Sequence, residues 1–312
     1  MLSFKDINNK GVPVAIIKGG KNNNKIIYII DENNKNDDNN YLIDNNPLDN
    51  VDDVYNTNIK KMNRKQILNI KNALMKNNTT EDKTEYDIII NAQKLSKELS
   101  KKEFKIFDDG IIQPLPRFNK TERVFCAGQT ECGKSYWCKM YLNQMVKVHP
   151  DKKIFLFSDV EEDPEIDDIK NLIRFKLDDD LAKKTSIDLS NFDNSICLFD
   201  DIDSIQNKLV FKFVQNLRDS ILRRGRHNNI SCIITSHLIT NYGDTRIILN
   251  ECNSIVLFCR SGSSYQIKYL LSKYVGLDKE QINKIMNLPS RWVKIQKNVP
   301  LYITYEKGIY LL

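Results

Sequence analysis

The stretch AGQTECGKSYW, residues 127–137, holds Gly128, Gly133, Lys134 and Ser135 at the spacing G-x-x-x-x-G-K-[ST]. That pattern is the phosphate-binding loop of nucleotide hydrolases. Small residues let successive backbone N–H groups face a β-phosphate at a helix amino terminus, where the helix dipole also favours anions. Gly128, Gln129, Thr130, Glu131, Cys132, Gly133, Lys134, Ser135 and Tyr136 would together cradle ATP. Within them Lys134 would neutralise the β- and γ-phosphates and the Ser135 hydroxyl would hold Mg²⁺. An ordinary strand-to-helix turn is the competing reading. The apolar run RVFCAG precedes the loop, and Trp137, Tyr141, Met145 and Val148 recur behind it at helical spacing, ending near His149-Pro150. This is the strand-then-helix context the motif requires.

A metal-bound triphosphate also needs acids, and SICLFDDID supplies them at the end of an apolar run. Asp200 fits the carboxylate on the Mg²⁺ side. Asp201 is then placed to orient or deprotonate the attacking water, a role that many related ATPases give to Glu. A solvated loop or helix cap built from Asp200, Asp201 and Asp203 fits the same residues. SCIITSH is another apolar run with a polar end, Ser236-His237. In the additional-strand class of P-loop ATPases such a strand lies between the P-loop strand and the acid-bearing strand. His237 would there sense phosphate or position water; a satisfied surface histidine is the plainer alternative. LRRGRHNNIS reads as a helix end, with Gly225 expected to stop the helix in the left-handed conformation. Arg223, Arg224 or Arg226 would reach a neighbour's nucleotide in a ring, or simply complement the helix dipole.

These residues need a scaffold, and the apolar runs describe one. KIFLFSD, SICLFDD, SCIITSH and SIVLFCR are each bounded by polar or turn residues, and Val210, Val214, Leu217 and Ile221 form a helical stripe between the second and third. Runs buried on both faces lose simple alternation, so parallel strands with helical crossovers are expected: a doubly wound α/β domain. SRWVKIQKNVPLYITYEKGIYLL suggests closing strands with a Glu-Lys-Gly hairpin turn, completing the sheet or making a subunit contact. We place this P-loop domain at 116–312. Residues 1–115 form a smaller α+β amino-terminal region: VPVAIIKGG and KIIYIID read as a hairpin, DENNKNDDNNYLIDNNPLDNVDD as a loop too polar for a core, and KKMNRKQILNIKNALMKNN and NAQKLSKELSKKE as two helices. DDGIIQPLPRF reads as an extended lead-in.

The chain has 312 residues, enough for one sizeable core and one to two domains. Lys+Arg 47 against Asp+Glu 41 is a mild basic balance, unevenly spread. Acids dominate from Asp151 to Asp203, whereas Ile205 to Leu312 holds 16 basic and 6 acidic residues. That local excess suits a polyanion partner and equally a solvated cationic surface. No apolar run approaches the roughly 18 residues of a membrane span and the amino terminus lacks a secretory pattern, so an intracellular protein is expected. Seven cysteines form no paired C-x-x-C and read as free thiols.

The combination of VFCAGQTECGKS, KIFLFSD, CLFDDID, GRHNNIS and the strand ending in TSH resembles the DNA-packaging ATPases of large eukaryotic DNA viruses and virophages, the poxvirus-type branch of the FtsK/HerA superfamily. The resemblance covers about residues 120–260. It implies a RecA-like additional-strand domain, its mostly parallel sheet covered by helices on both faces. It also implies ATP and Mg²⁺ as cofactors, and a homo-oligomeric ring that moves double-stranded DNA through contacts to its phosphate backbone. Capsid proteins are further candidate partners, and the host cytoplasm or viral factory, or the virion, is the implied location. By position, Gly128 to Ser135 bind nucleotide, Ser135 and Asp200 hold the metal, and Lys134 and Asp201 serve catalysis. Arg226 takes the finger position. His237 is a departure, because the family usually has Gln there. An ATP-gated assembly or scaffold protein and a small-molecule or nucleotide kinase share the phosphate loop and stand as alternatives.

Overall fold

The computed structural model describes residues 1–6, 10–30, 102–183, 188–241, 243 and 245–312. The Asn-rich tract and the two helices expected between about 59 and 103 fall almost wholly outside these residues. The strands in chain order begin with β1 (Leu2–Ser3), β2 (Val12–Lys18), β3 (Ile26–Ile29), β4 (Glu103–Lys105) and β5 (Ile111–Pro114). Then come β6 (Arg123–Ala127), β7 (Lys153–Ser158), β8 (Leu172–Phe175), β9 (Ser195–Asp200), β10 (Ser231–Ser236) and β11 (Ser254–Leu257). The chain closes with β12 (Val293–Gln296), β13 (Tyr302–Tyr305) and β14 (Gly308–Leu311). The helices are α1 (Lys134–Val148), α2 (Asp179–Ala182), α3 (Lys208–Arg224), α4 (Arg246–Glu251), α5 (Ser264–Leu270) and α6 (Lys279–Met286).

The described residues divide between two compact units, the first drawn from Met1–Val12 and Ile27–Phe104, the second from Pro13–Ile26 and Lys105–Leu312. In the first, Leu2 and Ser3 pair antiparallel with Ile29 and Tyr28, and Phe4 meets Phe104 edge-on at 5.2 Å. In the second, β2 pairs antiparallel with β5, from Ala15 opposite Pro114 to Lys18 opposite Ile111. The turn after β2 closes as Asn24 N–H donates to the Ile17 carbonyl at 2.7 Å and Ile17 N–H to Lys25 at 3.0 Å.

The main sheet of the second unit runs in the order β14-β13-β12-β11-β6-β10-β9-β7-β8. From β11 to β8 every neighbour is parallel, as the four apolar runs predict, and β8 adds an edge strand with a half-buried Leu-Ile-Arg-Phe pattern. Strands β12 to β14 continue the sheet as an antiparallel meander, with Tyr305 opposite Gly308 across a Glu306-Lys307 turn. Side chains alternate across the sheet, so Val124 and Cys126 of β6 face one core and Phe125 and Ala127 the other. The first core receives Trp137, Tyr141 and Met145 of α1, with Trp137 stacked on Tyr141 at 4.9 Å. The opposite core receives Val210, Val214, Leu217 and Ile221 of α3. Burying each such side chain contributes about 1.5–3 kcal/mol, which is why these stripes fix the helices to the sheet. Helices therefore cover both faces, and β10 lies between the P-loop strand β6 and the acid-bearing strand β9.

Two details depart from or extend the sequence expectations. Helix α1 stops at Val148, just before His149-Pro150. Gly225, expected to be left-handed, is right-handed at φ −54, and the chain runs on through a 3-10 turn at Gly225–Asn228 to a left-handed Asn229 at φ 52. The requirement at Gly225 is space: an added Cβ would lie 3.1 Å from the Ile221 side chain and 3.4 Å from Ile230. All seven cysteines are free, and among the described residues no helix is long and apolar enough to cross a membrane.

Candidate functional site

The loop after β6 takes its shape from close packing and two left-handed residues. Gly128 N–H donates to the Ser236 carbonyl at 3.1 Å, which ties the loop to the end of β10. A Cβ at Gly128 would come within 2.6 Å of Cys132 Sγ and 2.8 Å of the Phe258 ring, so only glycine fits there. Glu131 at φ 64 and Gly133 at φ 103 reverse the chain and deliver Lys134 as the first residue of α1. No side chain caps that helix and no acid occupies its first turn. Its leading N–H groups and the positive end of its dipole are therefore presented to an anion. Gln129, Thr130, Glu131 and Tyr136 are exposed, Ser135 is half-buried, and burial pushes the thiol of half-buried Cys132 upward.

The acids arrive on β9, buried along its whole length. Phe199 is level with Ile234 of β10, so Asp200 comes out beside Thr235. The Thr235 hydroxyl donates to Asp200 Oδ1 at 2.8 Å, lies 3.1 Å from Asp201 Oδ1, and accepts from Asp201 N–H at 2.8 Å. Asp201 is left-handed, at φ 41 and ψ 43. That turn separates the two carboxylates: Asp200 stays 8% exposed while Asp201 turns toward Lys134. Burial holds the Asp200 carboxyl above the usual carboxylate range; the Thr235 hydroxyl works against this, and the negative charges of Asp201 and Asp163 add to it. One residue further along β10, Ser236 donates to Asp203 Oδ2 at 2.8 Å.

Lys134 and His237 join the two halves. Lys134 Nζ donates to the carbonyls of Gly128 at 3.1 Å and Gln129 at 3.4 Å, lies 3.0 Å from His237 Nδ1, and stands 3.6 Å from Asp201 Oδ2. His237 Nε2 is 3.0 Å from the same Asp201 oxygen. An ammonium only donates, so Nδ1 accepts from Lys134, and Nε2 stands in contact with the Asp201 carboxylate. Lysine, histidine and aspartate thus form a closed triangle at the strand ends. A phosphate entering the loop would offer Lys134 a stronger acceptor than the two carbonyls, freeing them and His237.

Gly128 to Ser135, Asp200, Asp201 and His237 are therefore gathered at the carboxyl ends of the neighbouring strands β6, β9 and β10. Arg226 is not. It is exposed in the turn before β10, whereas the site lies past the far end of that strand, about 20 Å away for six residues at about 3.3 Å each. Arg226 cannot reach the site of its own chain. Thr235 and Phe258 also belong to the site, though neither stands at a motif position. A polar residue inside an otherwise apolar run was the available signal for Thr235; nothing local marked Phe258, whose ring fills the space left by Gly128.

No family model matches the chain. Among solved structures, the genome packaging NTPase B204 from Sulfolobus turreted icosahedral virus 2, in complex with AMPPCP, is similar at 15% identity and a TM-score of 0.41, covering 60% of this chain and 98% of that one. The cytoplasmic domain of the Thermomonospora curvata type VII secretion ATPase EccC is similar at 14% identity and a TM-score of 0.44, covering 65% of this chain and 28% of that one. Likeness of this degree leaves function to be read from the residues of this chain. In sequence, the chain is 38% identical over 205 residues to the uncharacterized protein V3 of Sputnik virophage, which covers 65% of this chain and 82% of that protein. The chain belongs to the same protein family as that virophage protein.

Proposed function

We propose that this protein is an ATPase that moves double-stranded DNA, packaging a viral genome into capsids as a homo-oligomeric ring within the infected cell. The observation that carries this reading is the meeting of the P-loop lysine with an acid and a histidine from the neighbouring strands: Lys134 lies 3.6 Å from Asp201 and 3.0 Å from His237. A strand-to-helix turn used only for packing has no reason to bring a lysine, an acid and a histidine together from three strand ends. Residues 116–312 form the motor domain in this reading and 1–115 an amino-terminal region.

The N–H groups of the loop and Lys134 bind the triphosphate. Asp201, held in place by Thr235 and His237, orients the attacking water and takes up its proton. Release of His237 from Lys134 lets its ring follow the γ-phosphate, the task the family usually assigns to Gln. The donors suited to Mg²⁺ are the Asp200 carboxylate and the Ser135 hydroxyl, both hard oxygens. Among the described residues no group of three or more His, Cys, Asp or Glu is placed to hold a metal by itself. When bound, Mg²⁺ would neutralise the charge that develops on the phosphate oxygens. Arg226, remote from its own site, is available only to a neighbouring subunit's nucleotide.

The basic excess after Ile205 supports a partner gripped by its phosphates without base readout. The test is ATP hydrolysis with and without long duplex DNA, for the native chain, Lys134→Ala and Asp201→Asn. A duplex-stimulated rate lost in both variants, with ATP binding kept in Asp201→Asn, is the expected result. Equal rates with and without duplex would overturn the translocase. Tight ATP binding without duplex-dependent turnover would point instead to ATP-gated assembly.

A further inference from the structure

We propose that the outward face of α5 grips the phosphate backbone of duplex DNA and is mechanically joined to the phosphate loop by the turn that precedes it. This rests on the reading that the chain works on DNA. Ser263 caps α5, which passes directly into a wider turn of helix at Leu271–Val275. Ile267, Leu270 and Leu271 are buried, whereas Tyr265, Lys268, Tyr269, Ser272 and Lys273 are exposed. Their spacing puts the exposed five on one face.

The chemistry of that face is unusual for a surface that meets only water. Tyr265 is 77% exposed and Tyr269 43%, with lysines interleaved. From Asn253 to Leu277 the sequence holds Arg260, Lys268 and Lys273 and no acid. Tyrosine hydroxyls and lysine ammoniums both donate to phosphate oxygens, and neither reads a base from the outside of a duplex. From Tyr265 to Lys273 the face spans about 12 Å at about 1.5 Å per residue, the length of three to four base-pair steps at about 3.4 Å.

Position ties this face to the nucleotide. Leu257 at the end of β11 is level with Ala127, so the lead-in to α5 leaves the sheet beside the phosphate loop. The Phe258 ring is the nearest neighbour of any Cβ added at Gly133 and crowds one at Gly128. A Cβ at Gly262 would lie 3.2 Å from Ile239, two residues past His237, and 3.9 Å from Gln129. A shift of the loop or of the β10 exit on nucleotide binding therefore pushes on the turn that carries α5.

The experiment measures duplex affinity across a salt series, together with basal and duplex-stimulated hydrolysis. It compares the native chain, Lys268→Ala/Lys273→Ala, Tyr265→Ser, and a control, Lys147→Ala/Lys170→Ala, that removes two exposed lysines elsewhere. The α5 double variant should bind duplex about tenfold or more weakly, with a salt slope lower by about two, and keep its basal rate and melting temperature. Tyr265→Ser should weaken binding by about threefold to tenfold. Unchanged affinity and slope in the α5 variants, equal losses in the control, or a change in oligomer size in place of DNA binding would each overturn the proposal. A native chain that does not bind duplex at all would instead refute the function it rests on.

Discussion

Lys134 and Lys294 are both buried lysines of the same unit, 6% and 1% exposed, and they are held in opposite ways. Lys134 sits where a strand gives way to a loop. Two loop carbonyls, the His237 ring and the Asp201 carboxylate surround its ammonium. Lys294 sits inside β12, opposite Thr304, with the Gln296 side-chain oxygen at 3.3 Å and the rings of Tyr141 and Tyr302 at 5.5 and 5.9 Å. Burial lowers its pKa to about 8. Mid-strand backbone acceptors are used by the sheet, so a lysine there meets only side chains, whereas strand ends leave carbonyls for it. Burial therefore does not mark the functional lysine. What marks it is a set of acceptors that an incoming anion can replace.

The largest expected effect separates the two directly. Lys134→Ala should lower the rate of ATP hydrolysis by about 1,000-fold or more, while Lys294→Met leaves it within about threefold. Comparable losses in both would end the contrast. A smaller effect sharpens it by asking what holds the acids near Lys134. Thr235→Val removes the hydroxyl that touches Asp200 and Asp201 and should lower kcat by about 100-fold with little change in KM for ATP. Thr235→Ser should recover most of that loss. Steady-state kinetics decide it: equal failure of the serine and valine variants would make Thr235 a packing residue.

The parts legible in the sequence were those whose cause is local. Gly128 to Ser135 and the Asp200-Asp201 pair announce themselves because a phosphate loop and a strand-end acid need fixed residue types at fixed spacing. The parallel strands show as apolar runs because both their faces are buried. Thr235 was not legible as a site residue, since its role depends on the register of β9 against β10, which sets Asp200 beside its hydroxyl. Gly225 carries a plain helix-stop signal, yet its conformation is set by Ile221 and Ile230 packing where a Cβ would go. The pairing of β2 with β5 joins residues almost a hundred positions apart, and no pattern within either strand declares its partner.

The smallest effect concerns Lys294 and is read in stability. Its folded pKa of about 8 lies below the ordinary value of 10.5, because burial disfavours the charged form. Between those two values the unfolded chain binds more protons than the folded one, so this group makes stability rise with pH. Below about pH 8 the ammonium is charged in both states and the penalty is complete; above about 10.5 it is neutral in both and the penalty is gone. The separation corresponds to about 3 kcal/mol at 1.36 kcal/mol per unit, reduced to about 2 kcal/mol by the Gln296 bond and ring contacts that a methionine forgoes. Lys294→Met should accordingly be more stable than the native chain by about 2 kcal/mol at pH 7, with the gap closing as pH approaches 10.5. Denaturant unfolding of both proteins across that range measures it. A gap that does not change with pH would mean that the contacts of Lys294 offset its burial in full, and that a place inside a strand costs this lysine nothing.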